Sequence, residues 1–424
     1  MKCAFLGRSA SFRAILGSLA ALTAAFQLSG CASRGQPLEL HGEGLGSTWS
    51  VKIAGPVQLD LPTVQHGIQQ QIDNAAHQLS RWDPSSRLSL LNASPSEDWQ
   101  TLPPELHAAI SYALQLASDT GGAYDPTVAP LVDVWGFGTA GRRFDPPSPE
   151  AITAARSHVG WAQITLDPAA NRIRRPAGVQ IDLSSMAHGF GADQVSNYLR
   201  SLGVQRYLVD VGSEIRAQGD SPQGHSWHVA VEQPPPEATE PDTRQRSAAS
   251  LTAASSAAAS STAAWPAVAS PAAASPAAAP STAASTATEA PVSPSPAGML
   301  AQAVSAELMS ADDAPTPAIR VLALHNAAVA TSGNYRYFFD YNGRRYSHRI
   351  DPRTAAPITH PLASVTVIAA ECMHADALAT ALTVLGPDEG FEYASRHEIA
   401  ALFIVRTRGG FEQRMTPAFK SYLH

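Results

Sequence analysis

With 424 residues, the chain has room for two or three ordinary domains, or for one large domain carrying insertions. Its composition is globular on average, 44% hydrophobic, yet only 15% of residues are charged, a deficit that traces to an apolar N-terminus and a long Ala/Ser/Pro tract. The formal net charge of −7 supplies no basic patch, so nucleic acid is not an expected partner.

Residues 1–30 read as a lipoprotein signal peptide. Lys2, Arg8 and Arg13 form a positive n-region, and Ala14 to Phe26 an apolar run too short for a comfortable membrane span. Leu28-Ser29-Gly30-Cys31 resembles a bacterial lipobox, which makes Cys31 the expected lipidation site and membrane anchor. Ala32 is not the aspartate associated with inner-membrane retention, so the expected location is the periplasmic side of the envelope, with the outer membrane favoured. Removal of Cys3 and acylation of Cys31 would leave Cys372 alone, excluding an intramolecular disulfide. Residues 31–43 read as a tether.

The globular pattern starts at Gly44. Ser47 to Ile53 alternates as a strand does. Thr63–Leu79 carries apolar residues at helical spacing, and Pro103–Thr120 reads as a second helix closed by Gly121-Gly122. A shorter helix over Ser148–Val159 and a small hairpin, Ile164–Leu166 with Arg172–Arg174, follow. Val179–Leu183 reads as a strand, Gly189–Leu202 as a helix, and Arg206–Val211 and Trp227–Glu232 as strands. Residues 234–317 are dominated by Ala, Ser, Thr and Pro, which cannot bury enough surface to offset chain entropy, and are expected to be disordered. Strands resume at Ile319–Leu324, so the tract reads as a swollen hairpin connection within one domain, 44–233 plus 318–424, rather than a divider. Beyond it come a strand at Ala327–Thr331, a hairpin about Asn342-Gly343, a strand at Ser364–Ala369, helices at His374–Leu385 and Asp388–Ser395, and a strand at Ala400–Arg406. The interleaving lacks a strict βαβ rhythm, which predicts an α+β fold with a mixed sheet core and packed helices.

Four segments could carry chemistry. In His374–Thr380, Asp376 and Thr380 stand four apart on one helix face, offering two hard oxygen ligands of the kind Mg²⁺ takes alongside phosphate oxygens; a helix-dipole carboxylate beside a packed threonine is the plain alternative. Ile181–Asp193 runs from a strand through small residues into a helix, a setting that lets backbone N–H groups approach a diphosphate, with His188 a phosphate contact or a core histidine. Gly121–Gly138 places three aromatics among glycines and prolines, suiting either a ring-binding loop or a hydrophobic cap. Thr331–Tyr335 and His348–Arg353 bring a basic and polar cluster beside the hairpin.

Taken in order, these segments resemble the ApbE family of FAD:protein FMN transferases. The matches are Gly46–Trp49, Leu79–Trp82 with Ser86–Asn92, Tyr124–Val132, Ser332–Tyr335, His348–Pro352 and Ala375–Thr380. The resemblance implies Mg²⁺-dependent transfer of FMN from FAD to a threonine hydroxyl of an acceptor protein, with release of AMP. A Mg²⁺-dependent FAD pyrophosphatase and a non-catalytic FAD-binding lipoprotein are the alternatives. It further implies a metal on Asp376, Thr380 and the backbone oxygen of Ser185, and flavin-nucleotide contacts from Leu45, Trp82, Ala123, Tyr124, Asp125, Met186, His188 and Ala355. His348 becomes a candidate base by its place in the motif, against a structural histidine. The chain departs from the family pattern at His188, where many members have lysine, at Asp210–Glu214, and at Ala355, where the motif has glycine.

Overall fold

The computed structural model describes residues 37–55, 59–235 and 318–424. The expected signal peptide, the expected lipidation site Cys31 and residues 236–317 of the expected insertion lie outside the described residues.

The first half comprises β1 (Leu38–Gly44), β2 (Ser47–Ile53), α1 (Leu61–Leu79), α2 (Arg87–Ala93), β3 (Gln100–Thr101), α3 (Pro104–Asp119), α4 (Ala129–Val134) and α5 (Pro149–Arg156). Next come β4 (Thr165–Asp167), β5 (Arg172–Arg174), α6 (Ala187–Ser201), β6 (Tyr207–Val211), β7 (Glu214–Gln218) and β8 (Trp227–Glu232). After the insertion follow β9 (Ala318–Leu324), β10 (Ala327–Gly333), β11 (Phe338–Tyr341), β12 (Arg344–Ser347), β13 (Ile350–Asp351) and β14 (Ala356–Pro357). The chain ends with β15 (Leu362–Ala369), α7 (Cys372–Leu385), α8 (Glu389–Arg396), β16 (Ala400–Thr407), β17 (Gly410–Met415) and a 3₁₀ turn over Pro417–Tyr422.

Eight strands build the main sheet in the order β1-β2-β6-β7-β10-β15-β16-β17. The α+β class stands, but every described pairing in this sheet is antiparallel, where a mixed sheet was expected. Tight reversals at β1–β2, β6–β7 and β16–β17 fix that direction, and no parallel crossover separates them.

Both faces of the sheet are covered, which explains why β16 reads as an unbroken apolar run. On one face, Val51 and Ile53 of β2 and Val209 and Val211 of β6 pack against Ile68 and Ile72 of α1 and Val195 and Leu199 of α6. Farther along that face, α7 lays Ala375, Ala379 and Leu382 on Val365 and Val367 of β15 and Phe403 of β16. Small alanines let this helix approach the sheet closely. On the other face, β8 and β9 pair in antiparallel register and bury Trp227, Val229, Val231, Leu322 and Leu324 against Leu402, Ile404 and Phe419. The strands on either side of the expected insertion are thus paired neighbours.

Three expectations change. Leu38–Gly44, all but its last residue assigned to the tether, forms edge strand β1, whose weak alternation leaves one face half-buried. Val179–Leu183 is not a strand. Its backbone bonds to a side chain instead: Asn92 donates from Nδ2 to the Ile181 carbonyl and accepts from the Ile181 N–H, both at 2.8 Å, while the Asp182 N–H bonds Pro126. The segment is extended but has no partner strand. Finally, β7, β17 and α2 were not anticipated; the first two are continuations of hairpins, and α2 is a seven-residue helix opened by a Ser86 cap on the Ser89 N–H.

Candidate functional site

A cavity of about 370 Å³ lies among α7, the segment preceding α6, the loop at 123–138 and the link from β12 to β13. Its walls include Trp82, Ala123, Tyr124, Asp125, Ser185, His188, His348, Asp376 and Thr380. Nine of the residues singled out in the sequence thus meet in one place, drawn from five separated stretches of chain. Leu45, Met186 and Ala355 do not line it.

The position of Asp376 is set by a close helix–helix approach. Gly189, in the first turn of α6, has no side chain, so its backbone packs directly on the start of α7; a Cβ there would fall 2.4 Å from the Cys372 carbonyl oxygen. The Gly189 N–H donates to Asp376 Oδ2 at 3.2 Å. Asp193, one turn on, accepts from the N–H groups of Cys372 (3.0 Å) and Met373 (2.9 Å), locking the two helix starts together. Burial pushes the Asp376 pKa up to about 7, opposed by the Gly189 bond and by the positive charge of Arg349. Thr380, one turn along α7, has its hydroxyl 3.0 Å from Ser332 Oγ and accepts from Arg349 Nη1 at 3.1 Å. Ser185 Oγ lies 3.0 Å from the Tyr124 hydroxyl, whose pKa is raised by burial.

His348 is oriented by its own hairpin. Its Nδ1 lies 2.8 Å from the Tyr337 carbonyl oxygen, an acceptor, so Nδ1 carries the proton and the lone pair stays on Nε2. Burial, with Arg349 next in effect, lowers its pKa to about 3, and the imidazole is neutral. His188 is likewise held neutral by burial; its Nε2 is 3.2 Å from the Leu45 carbonyl and its Nδ1 3.8 Å from Glu214 Oε2. Leu45 therefore reaches the site through His188, from a left-handed turn at φ 55°. Asp125 spends its carboxylate on the loop, accepting from the Thr127 N–H (2.7 Å) and hydroxyl (2.6 Å) and the Trp161 N–H (3.3 Å). Met186 is buried in the core beneath α6. Ala355, at φ 58°, offers its carbonyl to the Trp135 indole and packs in an aromatic cluster that reaches the cavity through Phe137 and Ile350, without lining the cavity itself.

Sequence reasoning missed four charged residues of the wall, Arg81, Asp182, Glu214 and Arg349. Arg81 is nearly buried and bridges Asp133 (2.8 Å) and Asp182 (3.1 Å), clamping the aromatic loop to the segment that leads into α6. Glu214 is buried, its Oε2 has no hydrogen-bond partner, and burial together with the charges of Asp376 and Asp210 raises its pKa well above normal. Arg349 donates to Thr380 and, from Nη2, to Ser332 at 3.2 Å. Arg349 stood inside a quoted motif, and its one signal was a permanent charge beside the buried Ile350.

The donor set fits a hard divalent cation. Asp376, Thr380 and Ser185 supply oxygens only, and a cation would offset the burial that disfavours the ionised forms of Asp376 and Glu214. Among the described residues there is no group of three or more His, Cys, Asp or Glu side chains placed to hold a metal, so one carboxylate would act with neutral oxygens.

The ApbE family model matches residues 45–312 and 306–403. A protein of Haemophilus influenzae named FAD:protein FMN transferase is 30% identical over 415 residues, covering 96% of this chain and 97% of its own. A Vibrio cholerae protein of the same name is 30% identical over 407 residues, covering 96% and 98%. The solved flavin transferase ApbE from Vibrio cholerae superposes with a TM-score of 0.68 at 28% identity over 92% of this chain and 99% of that one. The apo flavinyl transferase ApbE of Pseudomonas stutzeri gives 0.68 at 29% identity, over 91% and 96%. With its motifs gathered at one cavity and its length matched nearly end to end, the chain belongs to the ApbE family.

Proposed function

We propose that the chain transfers FMN from FAD to a threonine hydroxyl of an acceptor protein and releases AMP, with Mg²⁺ held by Asp376, Thr380 and the Ser185 carbonyl. The observation that carries this reading is the pairing, in one cavity, of a hard-oxygen donor set with a neutral histidine whose Nε2 lone pair is free. FAD is the donor, and the relatives named FAD:protein FMN transferase support that assignment.

The acceptor oxygen attacks the FMN phosphorus, and the bond from that phosphorus to the bridging oxygen breaks, leaving the electron pair on AMP. His348 Nε2 takes the hydroxyl proton as the new P–O bond forms; the Tyr337 carbonyl, bonded to Nδ1, steadies the ring as it becomes charged. Bound Mg²⁺ would neutralise charge developing on the leaving phosphate. Trp82, 51% exposed at the cavity, offers a face for a flat ring system, and Tyr124 and Ala123 close the pocket behind it. We place the anchor at Cys31 and the site on the periplasmic side, where the lipobox reading puts them.

The test incubates the purified chain with FAD, Mg²⁺ and a threonine-bearing acceptor, and follows the acceptor mass and AMP release. An FMN adduct with stoichiometric AMP, both lost in EDTA, is expected. AMP and free FMN without adduct would make the chain a pyrophosphatase, and tight FAD binding with no product would make it a binding protein.

A further inference from the structure

Arg349 occupies the ligand that the proposed metal needs. Its Nη1 donates to Thr380 Oγ1 at 3.1 Å and its Nη2 to Ser332 Oγ at 3.2 Å, while those two hydroxyls share a further bond at 3.0 Å. A divalent ion on Thr380 would sit about 2.1 Å from the same oxygen, so the guanidinium nitrogen could stand no more than about 5 Å from it. Two cations at that range inside a half-buried wall repel strongly. The arginine is drawn there in the first place by the charges of Asp376 and Glu214. It has somewhere to go: Glu214 Oε2 is buried with no hydrogen-bond partner, 3.8 Å from His188 Nδ1, and both Arg349 and Glu214 also border a second cavity of about 440 Å³.

We infer that Arg349 competes with the divalent metal for Thr380, and that its guanidinium passes towards Glu214 when the metal binds. The inference rests on the metal assignment made under the proposed function. It makes Arg349 a positioning residue that sets metal affinity, not a group that touches the reacting atoms. Because the displaced arm borders the second cavity, loading the metal also changes the charge of that cavity's wall.

Mn²⁺ alone, without FAD, tests it. Binding to the full chain is measured by electron paramagnetic resonance at pH 8 for the unchanged protein, R349Q and R349K, with D376A defining the specific component. R349Q is expected to bind Mn²⁺ about tenfold more tightly or better, the scale on which one neighbouring charge shifts a site, while R349K, which keeps the charge, stays within about threefold of the unchanged protein. Equal Asp376-dependent binding by R349Q and the unchanged protein overturns the competition and leaves the metal site standing. Absence of Asp376-dependent binding in every form overturns the metal assignment and this inference together. Should R349Q not fold, a structure of the unchanged chain with Mn²⁺ decides the matter: a guanidinium moved off Thr380 supports the inference, and a retained bond overturns it.

Discussion

Replacing Gly189 by alanine sets two known effects against each other. In an ordinary helix interior the change gains about 0.8–1.0 kcal/mol of propensity. Here the new methyl would lie 2.4 Å from the Cys372 carbonyl oxygen, 2.6 Å from its carbon and 2.7 Å from the Met373 nitrogen. All three are backbone atoms, and the first turn of α7 is pinned by the paired bonds to Asp193, so relief requires α6 to retreat by roughly 1 Å, an overpacking strain of about 1–3 kcal/mol. The retreat also lengthens the Gly189–Asp376 bond, and losing a hydrogen bond to a charged group costs about 1.5–3 kcal/mol. The net expectation is a destabilisation of about 2–4 kcal/mol. Gly191, two residues on in the same helix, is the control: its Cβ would crowd Leu45 Cδ1, at 2.8 Å, the movable end of a flexible side chain, and would meet Ile72 Cδ1 and Val211 Cγ1 at the ordinary contact distances of 3.6 and 3.7 Å. Gly191→Ala should stay within about 1 kcal/mol of the unchanged protein. Urea unfolding, read from the midpoint at constant m, compares the two. A Gly189→Ala protein as stable as the parent, or more so, would refute the view that backbone-to-backbone contact fixes Asp376.

Asp376→Ala removes a carboxylate without opening the apolar core, so Mg²⁺-dependent turnover should vanish while circular dichroism is unchanged; surviving turnover refutes the metal assignment. His348→Asn should lower FMN transfer by about 10²–10⁴-fold with FAD binding retained, measured by single-turnover adduct formation. Because the folded His348 titrates only at about 3 whereas an unfolded histidine does so near ~6.5, the unfolded state binds more protons between these values. Stability is therefore fully present above pH ~6.5 and falls as pH drops towards 3, and His348→Asn should flatten that fall in urea titrations; an unchanged slope argues against a buried neutral imidazole. Trp82→Ala should leave stability within about 0.5 kcal/mol, since the ring is half-exposed, yet weaken FAD binding about 2–10-fold by fluorescence titration.

Legibility followed sequence distance. Asp376 and Thr380 were visible because four residues on one helix decide their shared direction, and that helix is fixed by its alanine and leucine pattern. The β11–β12 hairpin was visible because Asn342 and Gly343 take the left-handed turn that their types favour. Arg349 and Thr380 stand 31 positions apart, and Glu214 meets them from β7, so no local period could report their meeting. Strand β1 was lost for a different reason: Leu38 and Leu40 alternate with Glu39 and His41, but an edge strand covering one face carries too few apolar residues to stand out from a polar tether. Val179–Leu183 was misread because its apolar alternation answers to burial, whereas its hydrogen bonds go to Asn92. Met186 and Ala355 show the limit of transferring a motif whole: their backbones shape the surroundings, yet their side chains pack into neighbouring cores.

The charge inventory of the wall gives a reason for the order in which ligands would arrive. Glu214 and Asp376 are both buried carboxylates, each raising the other's difficulty in ionising, and Arg349 is the permanent cation set against them. His188 stands where many family members carry lysine, and burial holds it neutral, as it does His348. A nucleotide diphosphate brought into this cavity adds negative charge to a wall where Arg81 is already paired with Asp133 and Asp182 and Arg349 faces two buried carboxyl groups, which is unfavourable in a partly desolvated pocket. A divalent ion held by Asp376, as proposed, would reverse that balance and would free Arg349 to neutralise Glu214. The same residues that make the cavity reluctant to take an anion on its own would therefore make it receptive alongside a cation, and a lysine at position 188 would weaken that dependence by supplying a fixed charge of its own.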